Sequence, residues 1–249
     1  ALNAKKGKLY RRTGIPIKSN VEGTVDDWCE EVSTYANGVA FVANAGELSS
    51  IIPENEKHTI TSLKIFGELN GTDIKFIREN MVKCYNRSTE TFGALKILDL
   101  SEATIVEGGD AYYNSYTTQN NILGEYMFSQ SATLENVVLP KNIKAIGDFA
   151  LYYCDISDIV IPEEVETIGR YAFARLPDYR VHRSVSIPQS VTSIDKYAFA
   201  NHQGMDIYIQ DLRKFIEACI SESSIYMSDY GLLGVCRLFL NNEEVNDLV

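Results

Sequence analysis

Nothing in this 249-residue chain resembles a catalytic constellation. There is no Gly-rich phosphate loop, no GxSxG, no HExxH and no EF-hand spacing, which removes the common hydrolase, nucleotide and calcium-loop readings. The three histidines, His58, His182 and His202, stand in unrelated contexts. The five cysteines (Cys29, Cys84, Cys154, Cys219, Cys236) are scattered without a CxxC pair, so no metal is expected and no cofactor is implied. Most of them read as free, buried thiols. Basic charge is short as well: 23 Lys and Arg face 34 Asp and Glu, for a net charge of −11. That balance disfavours nucleic acid and anionic membranes as partners. No apolar run reaches transmembrane length. Proline is scarce too, at six, and three of the six fall in one repeated phrase.

The phrase is LPKNIKAIGDFAL at 139–151, IPEEVETIGRYAF at 161–173 and IPQSVTSIDKYAF at 187–199. Each copy begins with an aliphatic residue and a proline. Three residues after the proline stands Ile143, Val165 or Val191, and three further on Ile146, Ile168 or Ile194. An aromatic-Ala-apolar triplet closes each: Phe149-Ala150-Leu151, Tyr171-Ala172-Phe173 and Tyr197-Ala198-Phe199. The copies start 22 (161 − 139) and 26 (187 − 161) residues apart. A period of this length means a solenoid, whose units bury their apolar faces on one another.

Upstream of each proline runs an L-x-x-L-x-L pattern: Leu134, Val137, Leu139; Ile156, Ile159, Ile161; and His182, Val185, Ile187. It recurs at Ile60, Leu63, Ile65, at Leu95, Leu98, Leu100 and at Val235, Leu238, Leu240, and in a degenerate form at Ile207 and Ile209. The alternation predicts strands stacked in parallel, a ladder of about 30 Å at roughly 4.8 Å per strand. The proline ends each strand, and Gly147 and Gly169 read as turn residues of positive φ, with Asp195 in their place in the third copy.

These units resemble the BspA-type leucine-rich repeat of bacterial surface proteins. Cys154 stands where that family has a cysteine. Leu98-Asp99-Leu100-Ser101 is similar to the "LDLS" opening of such proteins, and the passage Leu238–Val245 to a hairpin found between their repeat blocks. The expected fold is therefore α/β: a horseshoe-like leucine-rich-repeat solenoid with a parallel β ladder, mostly strand and irregular return segments, and a few short helices. Residues 1–57 are expected as lead-in and cap, with a helix start at 26–31, a strand at 39–42 and a short helix near 48–52. Residues 58–249 would form the solenoid, with a loop insertion at 105–121 and a helix-hairpin unit at 211–249. One helix is expected at 72–84, capped by Thr72, and another at about 211–221, capped by Asp211, with an apolar stripe of Leu212, Phe215, Ile216 and Cys219.

The resemblance implies a non-enzymatic protein of the extracellular space or outer cell surface. It would bind a protein or glycan on a host or neighbouring cell. The alternative is a structural spacer displaying some other module. The outward rows would be Ile97, Asn136, Asp158, Ser184, Asp206, Arg237 and Asp99, Val138, Val160, Ser186, Tyr208, Phe239, and of these Asp99, Asn136, Val138, Asp158, Val160, Ser184, Ser186, Asp206 and Tyr208 are taken forward. Together with Tyr112, Tyr113 and Tyr116 of the 105–121 insertion, they are the candidate ligand contacts. Asp99, Asp158 and Asp206 read as a solvated acidic face rather than a cation site.

Overall fold

The computed structural model describes residues 33–84, 93–174, 183–195, 197–200, 205–221 and 237–245, the last two residues of 205–221 by backbone alone. Three strands nearer the start are described by their backbone: β1 (Asn3–Lys5), β2 (Lys8–Tyr10) and β3 (Pro16–Lys18), paired as an antiparallel ribbon. The expected helix start at 26–31 lies outside the described residues, as do Cys29, Cys236, His182, His202 and Val235.

A tight hairpin opens the main sheet. β4 (Thr34–Ala36) and β5 (Val39–Val42) are antiparallel, and Asn37 and Gly38 turn between them with φ of 51° and 78°. Two successive positive φ values suit Asn-Gly better than any other pair. After a short α1 (Leu48–Ile51) comes β6 (Ser62–Leu69), parallel to β5. The segment expected to cap the ladder thus contributes two strands of its own to the same sheet.

The expected helix at 72–84 is α2 (Gly71–Phe76), which continues into a π-helical turn at Ile77–Met81. Its cap is Asn70, not Thr72: the Asn70 side chain accepts from the Thr72 N–H, and Asp73 accepts from the Asn70 N–H. Asp73 is fully buried and also takes the N–H groups of Gly46 and Leu48. Three backbone donors explain why a carboxylate is retained there, although burial pushes its pKa up.

β7 (Ile97–Ile105) lies parallel between β6 and β11 (Asn136–Val138). The insertion expected as a loop at 105–121 is instead a β-hairpin of β8 (Gly108–Tyr113) and β9 (Tyr116–Thr118). Its Tyr112 is an anchor, 3% exposed, and donates its hydroxyl to the Glu125 carbonyl at 2.8 Å.

Beyond it the repeats set up two parallel ladders. One joins β10 (Ile122–Leu123), β12 (Ala145–Ile146), β14 (Thr167–Ile168) and β16 (Ser193–Ile194). The other joins β13 (Asp158–Val160), β15 (Ser184–Ile187), β17 (Asp206–Ile209) and, after α3 (Leu212–Ser221), β18 (Arg237–Leu240). β19 (Glu243–Glu244) folds back antiparallel on β18 through Asn241 and Asn242, so the expected hairpin is present. Asp211 caps α3 as expected, accepting from the Lys214 N–H. The stripe of α3 differs in one place: Ala218 is buried and Ile216 is 37% exposed.

All seven strands read from the sequence are there, but not as the single ladder expected: β6, β7 and β11 pair in one sheet and β13, β15, β17 and β18 in another. Every aliphatic position of the phrase is buried: Ile143, Val165, Val191, Ile146, Ile168 and Ile194 are each 3% exposed or less. Each contributes about 1.5–3 kcal/mol by leaving water. Each proline carbonyl accepts from the residue three later (Ile143, Val165, Val191), closing a turn rather than extending the strand.

The return segments are bonded coil to coil. Phe128 donates to the Ala150 carbonyl, Leu151 to Ala172 and Phe173 to Ala198, each at 2.8 Å. The positive φ expected at the glycines falls two residues later, on the aromatics. Tyr126, Phe149, Tyr171 and Tyr197 have φ of 55°, 56°, 53° and 64°, while Gly147 and Gly169 do not lie in the left-handed region. The glycines serve close approach instead: a Cβ on Gly169 would lie 2.7 Å from the Asp148 nitrogen of the preceding coil. The four rings stack in register, with centroids 4.7, 5.2 and 5.1 Å apart. Stacking contributes about 0.5–1.5 kcal/mol per pair and offsets a left-handed backbone that costs about 1–2 kcal/mol per residue.

This opposition makes a prediction at Tyr171. Both Tyr171→Gly and Tyr171→Ala lose two stacking partners, but only glycine relieves the backbone. Urea unfolding is expected to find Y171A less stable than Y171G by about 1 kcal/mol. The reverse order would show that the left-handed corner carries no strain.

Candidate ligand-binding face of the sheet

Strand register settles which side chains share a row. One row runs Lys64–Asp99–Val138 across β6, β7 and β11. Its counterpart runs Val160–Ser186–Tyr208–Phe239 across β13, β15, β17 and β18. Two residues earlier in each strand stand Ser62–Ile97–Asn136 and Asp158–Ser184–Asp206–Arg237. β13 packs beside β11, although the two are not ladder partners. The rows expected from alternation are therefore the rows observed within each sheet.

Their exposure is uneven. Among the described residues four large apolar side chains are exposed, and three are on these rows: Ile97 at 45%, Val138 at 42% and Val160 at 69%. Asn136 and Asp158 are exposed, and Ser184, Ser186 and Tyr208 half-buried. Asp206 departs from expectation. It is 3% exposed, and the Arg237 guanidinium grips both its oxygens at 2.8 Å. Arg237 also lies over the Phe239 ring, 5.6 Å from its centroid, and Phe239 stacks on Tyr208 at 4.8 Å. Two of the three acids expected on this face are thus paired with cations, and the third, Asp158, is not. Asp99 takes the Lys64 ammonium at 2.6 Å, and Asp158 takes the Ser184 hydroxyl at 2.6 Å. Burial pushes the Asp99 carboxyl up, but the hydrogen bonds from Lys64 and Ser101 outweigh it and hold the pKa below the ordinary value. Among the described residues no three His, Cys, Asp or Glu side chains are grouped to hold a metal ion. Cys84, Cys154 and Cys219 are buried thiols. Burial pushes the Cys219 thiol up to about 12, far from a reactive thiolate.

The tyrosines of the β8–β9 hairpin are not brought to this face. Tyr112 is in the core, while Tyr113 and Tyr116 pack on Tyr126 at 5.6 and 5.2 Å and extend the aromatic stack of the return segments. Arg78, buried in the π-helical turn, lies over Tyr113 and donates to the Tyr126 and Met127 carbonyls. It joins α2, the hairpin and the first return segment.

At the C-terminal ends of β13, β15 and β17 the sheet opens into a depression of about 380 Å3. Val160, Glu163, Ser186, Tyr208, Asn241 and Asn242 line it. Glu163 and the two asparagines were not among the expected contacts. The signal for Glu163 was its place just past the repeat proline. For the asparagines it was a pair of αL-tolerant residues ending the strand at 240.

The BspA type Leucine rich repeat region matches residues 111–226, in six copies. The chain carries a BspA-type leucine-rich-repeat region. The strand-rich architecture fits this repeat type, whose members are in general non-enzymatic modules and typically belong to bacterial surface proteins. No curated protein matches the chain. Among the described residues no helix is long and apolar enough to cross a membrane.

Two predictions concern the charges of this face. Arg237→Leu removes the ion pair of the buried Asp206 and should cost about 2 kcal/mol. Adding Asp206→Asn should recover part of that cost in a double-mutant cycle, and strict additivity would show the pair contributes nothing. Asp99 has a depressed folded pKa, so its contribution is present above the unfolded value near 4 and is lost as pH falls through the folded one. Acid titration of stability should therefore be shallower in D99N than in the parent below about pH 4. Parallel curves would contradict the assignment.

Proposed function

We propose that the chain is a repeat module of a cell-surface protein and binds a protein or glycan of a host or neighbouring cell through the outward face of its sheet. In this reading the repeats wind into a curved solenoid, residues 58–249 form its body and the sheet lines its concave side. The observation that carries the proposal is the clustering of exposed apolar side chains there. Ile97, Val138 and Val160 are exposed on strands whose other aliphatic residues are buried. A sheet can present polar residues on that face at no cost to its core, so an apolar row flanked by carboxylates and hydroxyls suits contact with a partner. Asn136, Asp158 and Ser184 would form its polar rim. Tyr113 and Tyr116 contribute to support rather than to contact, since their rings are engaged in the return-segment stack.

The test is binding of the purified chain to a panel of extracellular-matrix and plasma glycoproteins, measured by biolayer interferometry. The parent should bind at least one saturably. The double variant I97E/V138E should bind about 100-fold more weakly while keeping its thermal midpoint, a loss of about 2.7 kcal/mol. Undiminished binding by the folded variant would remove the sheet face from the proposal. No binding by the folded parent would favour a spacer.

A further inference from the structure

We propose that the depression between Val160 and Tyr208 is a subsite for one uncharged pyranose ring of a glycan. The inference rests on the binding role proposed above and names the chemistry of one part of that face.

The row Val160–Ser186–Tyr208–Phe239 has one gap. Three of its residues carry bulk, and Ser186, between Val160 and Tyr208, does not. Tyr208 and Phe239 stack at 4.8 Å with their planes 20° apart, so the tyrosine presents its second face along the ladder towards Ser186. A ring lying over Ser186 would sit one strand spacing, about 4.8 Å, from Tyr208 and the same from the Val160 methyls. It would continue the stack that Phe239 begins. Tyr208 and Val160 therefore make two apolar walls for something flat and one ring thick.

The rim selects what that ring is. Glu163, Asn241 and Asn242 are exposed and line the depression, and their side chains make no hydrogen bond to another described residue. The same holds for the Ser186 hydroxyl and the Tyr208 phenol. Amides, hydroxyls and a carboxylate supply donors and acceptors around the edge of a ring. A pyranose has that form: apolar C–H faces and a hydroxylated perimeter. An aromatic side chain would fill the slot but leave the rim unanswered. Among the described residues no lysine or arginine lines the depression, and Glu163 adds negative charge, which disfavours phosphate, sulfate and sialic acid. The turn points the same way. Asn241 and Asn242 have φ of 50° and 68°, where glycine at the second position would be the easier choice, yet an amide stands there. The volume of about 380 Å3 lies within the range of small-ligand sites.

Saturation-transfer NMR on the folded chain decides it. The probes are the methyl glycosides of glucose, galactose, mannose and N-acetylglucosamine, with N-acetylneuraminic acid, glucuronic acid and N-acetyltyrosine amide for comparison. At least one neutral glycoside should receive transfer, with a Kd of roughly 1–10 mM. Tyr208→Ala and Ser186→Leu should each weaken it about tenfold or more. Asn242→Gly improves the turn, so it keeps the fold and should weaken binding as well. Preference for an acid or for N-acetyltyrosine amide overturns the subsite, as does transfer that survives Ser186→Leu or Asn242→Gly in folded chains. If no glycoside binds while the glycoprotein panel is still bound through Ile97 and Val138, the subsite fails and the wider reading stands. If neither binds, both fail.

Discussion

The backbone ladder between successive return segments is the constraint on which the rest depends. Irregular segments carry amide and carbonyl groups that a helix would satisfy internally and a buried loop cannot leave unmet. Here each coil meets them with its neighbour: Lys144 to Asn121, Glu166 to Lys144 and Thr192 to Glu166, all at 2.8 Å. Coils must therefore approach to ladder distance. That approach demands the glycine at 147 and 169, where a Cβ would strike the coil before, and it turns the chain through a left-handed corner two residues on. Aromatic rings at those corners recover in stacking what the backbone gives up. Arg78 links this system to the α/β portion by donating to two carbonyls of the first return segment.

The same ladder leaves one surface unspent. With the return segments engaged on one side, the aliphatic residues of each strand point inward and every second residue points out. What stands on those outward positions is set by something other than folding. Lys64 on Asp99 and Arg237 on Asp206 neutralise the acids in place, whereas Val138 and Val160 remain exposed with no internal partner. The apolar and uncharged polar part of the face is the part left available for contact.

The strands were legible because their signal is a strict period of two, and a shift of one residue would have reversed every side chain. The repeated phrase made the buried positions of three coils readable, down to Ile146, Ile168 and Ile194. What was not legible depended on neighbours distant in sequence. Alternation alone could not show that Asp206 is buried under Arg237, because the partner comes from the next strand across 31 residues. The β8–β9 hairpin reads as a loop in the sequence because its tyrosines and asparagines lack a clean alternation, and Tyr112 finds its place only against Glu125. Local sequence points to positive φ at the glycines, whereas their role is close contact with the adjacent coil. Of the candidate site, the rows were readable. The rim at Glu163 and Asn241–Asn242 was not, since it forms only where strand ends and a hairpin turn converge.

The most direct test is native-state amide hydrogen exchange by NMR. The account predicts that the amides of Phe128, Leu151 and Phe173, which donate from coil to coil, exchange among the slowest in the chain and open together with a shared free energy. Exchange of these amides at the rate of unstructured peptide, with the sheet amides still protected, would contradict it: the repeats would then be held by their sheet alone.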